Sequence, residues 1–213
     1  MKTLYMKNTF MKHRLLSLAV LCFSLFGCED NAPTADPELL TFNKSQADFR
    51  WGKWWESSED VLARERGDGN TMLDEYNTRE GKELVCVFQG EEEDSKDYYT
   101  FSSVGLRRAD RVYSKQHADK SEYLQDYQSA RESMRKAFGS PVSESLIWRS
   151  EAIEEAYAND PASWGEAVSK GDLYYEVKWY RPRDNAYLVL QQGPDETIEL
   201  VEMYLGVRPF RHL

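Results

Sequence analysis

Between residues 72 and 205 the chain alternates short runs of β-branched and aromatic residues with clusters of Gly, Asn, Asp and Pro. That rhythm favours an antiparallel sheet. Strands are predicted over residues 72–76, 84–89, 98–104 and 107–113, and again over 142–148, 173–180, 186–192 and 197–205. The turns between them are polar, such as Asn77-Thr78-Arg79-Glu80-Gly81 and Gly193-Pro194-Asp195-Glu196. A short strand ending in a turn is expected at Phe49-Arg50-Trp51-Gly52.

Helical periodicity interrupts this rhythm at three places. Ser57 and Asp60 have the spacing of a capping box, and a helix through Val61, Leu62 and Glu65 should stop at Gly67. The strongest helix is predicted over 120–138, opened by Asp119 with Glu122. There Tyr123, Tyr127, Ala130, Met134 and Phe138 repeat on one face, and Gly139 and Pro141 close it. Asp160-Pro161 opens a third, carrying Trp164, Ala167 and Val168 and ending at Gly171. Helices among antiparallel strands give an α+β fold in two layers, with helices packed on a meander sheet.

The two halves of this body, 48–115 and 116–213, rhyme. Each has a strand ending in Trp (Trp51, Trp148), a capped helix ending in Gly (Gly67, Gly171) and a meander. The stretch 82–90 stands where 186–193 stands later. Two tandem α-β-β-β units are one reading of that pattern.

The N-terminus has a different character. Residues 1–27 hold Lys2, Lys7, Lys12 and Arg14 and no acid, followed by an apolar run over 15–26. This is the layout of a secretory signal peptide. The apolar run is too short to span a bilayer, which takes roughly 20 residues. Met11 is an alternative start, because Lys12, His13 and Arg14 supply a basic region of their own. The run ends in Leu25-Phe26-Gly27-Cys28, which resembles the lipobox of bacterial lipoproteins. The resemblance implies cleavage before Cys28, lipidation of that cysteine, and residence on the membrane outside the cytoplasm. Several acyl chains on one residue would make the anchoring stable. In that family an Asp directly after the Cys retains the protein at the inner membrane. Glu29 stands there, so the outer membrane is favoured over the inner. Residues 28–47 are polar, with Pro33 and Pro37, and are read as the lipidated Cys and a flexible tether reaching about 25 Å.

Cleavage would remove four of the 27 Lys and Arg and none of the 37 Asp and Glu, leaving 23 against 37. A net charge near −14 argues against nucleic acid, which requires clustered positive charge. It suits a solvated envelope protein or a basic protein partner. Of three cysteines, Cys22 would leave with the leader and Cys28 would take the lipid. Cys86 would remain, in the strand pattern Leu84-Val85-Cys86-Val87-Phe88, as a buried apolar residue.

Little in the chain resembles catalytic machinery. There is no His-Glu-x-x-His, no cysteine pair at zinc spacing and no nucleophile elbow. No cofactor or metal is expected. His117 reads as a solvated loop residue. Glu91-Glu92-Glu93-Asp94 reads as a hairpin tip, since it lacks the alternation of a calcium loop. Trp54-Trp55 stand out: one is expected to pack on the core beside Trp51, and the other to be exposed as a contact surface. The helix-then-meander layout behind a lipidated Cys resembles the small lipoprotein of the outer-membrane barrel-assembly machine and related inhibitor-type domains. Gly52, Ser57 or Ser58, and Val61 match that family's helix opening, while Lys53-Trp54-Trp55-Glu56 is inserted in it. The function expected is a non-enzymatic protein-binding or scaffolding role at the envelope. An acidic inhibitor or immunity-type protein is the alternative, and an envelope enzyme with an unrecognised site stands behind both.

Overall fold

The computed structural model describes residues 48–194 and 197–208, which lie in one compact unit. The leader, Cys28 and the tether fall outside the described residues. The elements run α1 (Ser58–Gly67), β1 (Met72–Asn77), β2 (Glu83–Gln89), β3 (Ser95–Ser102), β4 (Gly105–Tyr113), α2 (Ser121–Phe138), β5 (Ser143–Trp148), α3 (Glu151–Tyr157), a 3-10 turn (Pro161–Ser163), α4 (Trp164–Ser169), β6 (Leu173–Tyr180), β7 (Asp184–Gln192) and β8 (Ile198–Gly206). The fold is α+β. All eight strands form one antiparallel sheet in the order β1-β2-β3-β4-β8-β7-β6-β5. Two four-stranded meanders therefore meet where β4 pairs β8, with Val112 opposite Val201.

Local chemistry explains most boundaries. The Ser57 hydroxyl accepts from the Asp60 amide at 3.2 Å, and α1 carries acids in its first turn and Arg64 and Arg66 in its last. Both charge placements suit the helix dipole. At α2 the cap is not a capping box: the Asp119 carboxylate takes the Ser121 amide at 2.9 Å, and Glu122 turns instead to His117. β3 starts at Ser95, three residues before its predicted start, because the Ser95 hydroxyl closes the preceding turn on Glu92. Ser150 caps α3, a helix that periodicity did not reveal, since seven residues bury no side chain fully. Phe49 to Gly52 is no sheet strand. It is a tight two-residue turn bridged between Phe49 and Gly52.

Where helix side chains meet the sheet, they do so on the face carrying Tyr99, Ala109, Tyr175, Trp179, Leu188 and Tyr204. Trp179 is fully buried there beside Phe138, and its indole N–H donates to the Gly139 carbonyl at 3.0 Å. Burial of a side chain of this class stabilises by about 1.5–3 kcal/mol. Cys86 is wholly inside, and burial pushes its thiol up to about 11, which keeps it unreactive at neutral pH. The predicted tandem rhyme does not match position in the sheet. Each half supplies four strands rather than three, and β2 lies second from one edge whereas β7 lies third from the other.

Gly105 shows how the segment before α1 constrains the sheet. Its φ is +102°, and a Cβ would come 2.3 Å from the Trp55 carbonyl oxygen. Gly105→Ala is expected to lower stability by about 1–3 kcal/mol, measurable by urea unfolding.

Candidate functional site

Residues 48–57 cross the rim of the helix-bearing face and hold it together. Arg50 sits in the left-handed region (φ 47°), which an ordinary side chain adopts only under constraint. The constraint is ionic. Its guanidinium donates to Asp97 at 2.5 Å and to the Gln89 carbonyl at 2.9 Å, and its Nε lies 3.4 Å from Glu65. Arg111 grips the same Asp97 with two bonds, at 2.8 and 3.2 Å. Tyr99 donates to Glu65, and Asn70 donates to it at 2.6 Å. Burial raises the Glu65 carboxyl above its ordinary value, against the opposing pull of Tyr99 and Arg50. No sequence pattern announces this cluster, because its members are spread over 62 positions from Arg50 to Arg111.

The two tryptophans belong to the same crossing, and neither is exposed. Trp54 is 7 % exposed. Its indole N–H donates to Asp184 at 3.0 Å and its amide to Asp48 at 2.9 Å. Arg181 holds Asp184 from the other side. Trp55 has φ 73°, which turns the chain so that consecutive side chains both face the body. Its amide donates to Leu106 at 3.0 Å, and its half-buried ring meets the Arg208 guanidinium at 5.0 Å. The expectation of one exposed tryptophan is thus corrected: positive φ overrides the alternation that would have pointed one outward.

The opposite face of the sheet carries a different set of side chains. Strand alternation puts Val85 and Val87, Tyr98 and Thr100, Arg108, Asp110 and Val112, Val201, Met203 and Leu205, and Tyr187 and Val189 on it. A trough of about 860 Å³ runs over it, from Tyr76 and Thr78 to Gln191 and Pro194, with Trp55 at one end. Val85, Val87, Val189 and Val201 are closely shielded by neighbours, while Tyr98, Val112, Met203 and Leu205 are half-buried and Tyr76 is exposed. The polar groups are mostly paired within the face. Arg108 Nε donates to both Asp110 oxygens, at 2.9 and 2.7 Å, and Arg107 meets Glu83 at 3.3 Å. Burial raises the carboxyls of Asp110 and Glu199 and the phenol of Tyr98. A face of valines and aromatics with internally satisfied charges loses little on desolvation, which suits it to a protein contact.

On the helix-bearing side, a second cleft of about 520 Å³ lies between the turn after β2 and α2. Glu92, Glu93, Asp94 and Asp126 rim it, and Tyr113, Leu190, Leu200 and Glu202 line its floor. Burial raises the Glu202 carboxyl, against the pull of Arg111, and pushes the Tyr113 phenol up to about 12. His117 stands beside this cleft but is not the solvated loop residue expected. Its ring is nearly enclosed, edge-on to Tyr123, with Glu122 at 3.0 Å from Nδ1 and Asp126 at 2.5 Å from Nε2. The spacing of Glu122 and Asp126, one turn apart on α2, explains the capture. With both ring nitrogens engaged, His117 has no lone pair directed at the cleft.

The raised Glu202 carboxyl has a pH consequence. A carboxyl whose folded pKa lies above its unfolded value stabilises the fold at low pH, and that contribution is lost as pH rises from about 4.5 through the folded value. Glu202→Gln should therefore flatten the fall in stability between pH 4.5 and neutrality, read from urea midpoints at each pH.

Among the described residues, no three His, Cys, Asp or Glu side chains are placed to hold a metal ion, and no helix is long and apolar enough to cross a membrane. Against protein-family models, curated proteins and solved structures, the chain finds no match.

Proposed function

We infer that this is a lipid-anchored envelope protein, attached through Cys28 and a tether over 29–47, that binds a protein partner on the open face of its sheet. In this reading the helices form one layer and the sheet the other. The body is then two helix-plus-meander units joined at β4 and β8, over residues 48–115 and 116–213. The observation that carries the reading is the trough: half-buried Tyr98, Val112, Met203 and Leu205 lie on a sheet face where no described helix packs. Trp54 and Trp55 act as structural pins, with Trp55 bordering the trough. The outer membrane is the favoured location, and the role is non-enzymatic.

Two experiments test this. Cys28→Ser should abolish palmitate labelling and move the protein from the membrane to the soluble envelope fraction; unchanged labelling would remove the anchor from the proposal. Met203→Asp should reduce recovery of a stoichiometric partner in affinity purification from native envelopes at least about tenfold, as loss of a central apolar contact does. Equal recovery with a folded variant would remove the open face.

The acid-rimmed cleft favours a second reading, in which a basic toxin or enzyme is bound and blocked. Glu92, Glu93, Asp94 and Asp126 would then meet its cationic side chains, and Asp126→Asn would weaken binding while Met203→Asp would not.

A further inference from the structure

The free edge of the sheet at β5 differs from the free edge at β1. At β1 the register breaks between Met72 and Asp74, and the strand carries Asp74 and Glu75. A bulge and charges are the usual protections of an edge. At β5 the register with β6 runs unbroken from Ser143 to Trp148, with neither Lys nor Pro in the strand. Arg149 donates to the Asp172 carbonyl at 2.9 Å, so alternation turns the backbone groups of Ser143, Ser145 and Ile147 toward β6. Those of Glu144, Leu146 and Trp148 point outward, and among the described residues none of them has a backbone partner there. The edge exposes apolar side chains, Val142 at 55 % and Leu146 at 45 %, beside Ser143 and Glu144, whose carboxylate Arg131 holds at 2.7 Å.

A cavity of about 330 Å³ opens beside this edge on the helix-bearing side. Tyr127 of α2, Trp164 of α4, Tyr175 of β6 and Leu146 itself line it. On the other side of the edge, Ile147 pairs with the exposed Tyr174. An added strand would thus meet Tyr127, Trp164, Tyr175 and Leu146 on the helix-bearing side, beside the Arg131–Glu144 ion pair, and Ile147 and Tyr174 on the other, beside the Lys178–Glu176 pair. α3 packs on the far end of β5 through the stacked Trp148 and Tyr157, and it carries Glu151, Glu154 and Glu155.

We propose that β5 is a strand-addition site that takes an extended segment of a protein partner, with one large apolar side chain in the Tyr127–Trp164–Tyr175 cavity and a basic residue facing α3. The juxtaposition of outward backbone groups, an aromatic cavity and three carboxylates fits this mode, in which main-chain bonds give affinity and alternate side-chain pockets give specificity. A second copy of the chain fits less well, because two-fold pairing of β5 would place an acidic α3 helix at each end of the junction, where the nearby Arg131 and Lys178 are already engaged by Glu144 and Glu176. The proposal concerns a different surface from the open face and stands without it.

The test uses a displayed library of random nonapeptides selected against the full chain. Leu146→Pro deletes an outward N–H that β6 does not use, and Gln128→Trp fills the cavity mouth from an exposed position. Enriched peptides should share an aromatic residue flanked by a basic one. They should slow amide exchange at Glu144, Leu146 and Trp148 by about tenfold or more. Binding should fall about tenfold in each of the two variants, as loss of one good hydrogen bond or anchor does, and should persist in Met203→Asp. The proposal is overturned if no peptide is enriched over the Leu146→Pro protein. It is equally overturned if selected peptides bind both variants as well as wild type, or if they are lost only with Met203→Asp, which would move them to the open face. A wild-type dimer that Leu146→Pro converts to monomer would overturn it in favour of a second copy.

Discussion

Asp97→Ala is expected to destabilise the fold by about 3–5 kcal/mol, because it leaves two buried guanidiniums without their shared carboxylate. Asp97 is wholly enclosed, and the Arg50 and Arg111 side chains are 5 % and 19 % exposed. Arg50 also holds a left-handed backbone, so releasing its guanidinium leaves the turn that starts the 48–57 crossing to the Phe49–Gly52 backbone bonds alone. The loss should show as a lower urea midpoint with an unchanged slope. Asp97→Asn keeps the shape and part of the bonding and should cost less than Asp97→Ala. If both leave the midpoint where it was, the cluster does not hold the crossing segment.

Trp54→Ala is the second large effect, again about 3–5 kcal/mol, the usual cost of emptying a site built for a buried aromatic ring. The ring packs so closely on Gly206 that a Cβ there would come within 2.9 Å of it. The indole also satisfies Asp184, which is 3 % exposed. Removing it leaves Arg181 as the remaining side-chain partner of that buried carboxylate. A double-mutant cycle with Asp184→Asn should give a coupling of about 1–3 kcal/mol. Additive losses would mean that the 3.0 Å bond contributes nothing. The two clusters lie at different ends of one segment, so their single-mutant losses should add.

The strand pattern of the body was legible because valines and aromatics alternate between Gly- and Asn-containing turns, and α2 because Tyr123, Tyr127 and Met134 share one face. What stayed hidden depends on distant partners or on backbone signs. Arg50 looks like any strand residue until Asp97 is beside it. Trp54 and Trp55 look like one core ring and one exposed ring until a positive φ at Trp55 keeps both against the body. His117 sits in a polar stretch, and only its distance from α2 reveals the capture by Glu122 and Asp126. α3 lacks a buried face, so no periodicity marks it. The comparison of 82–90 with 186–193 shows the converse hazard, since similar strand sequences there occupy different places in the sheet. Within the candidate site, the open face could be read only once strand order joined β4 to β8. That pairing brings together side chains about 90 positions apart.

Site-specific photo-cross-linking in native envelopes tests the binding role most directly. A cross-linker placed at Tyr98 or Met203 should give one stoichiometric protein adduct, and the same cross-linker at Gln125, an exposed position on α2, should give none. No adduct from either open-face position, or equal adducts from all three, would contradict a partner seated on the open face of the sheet.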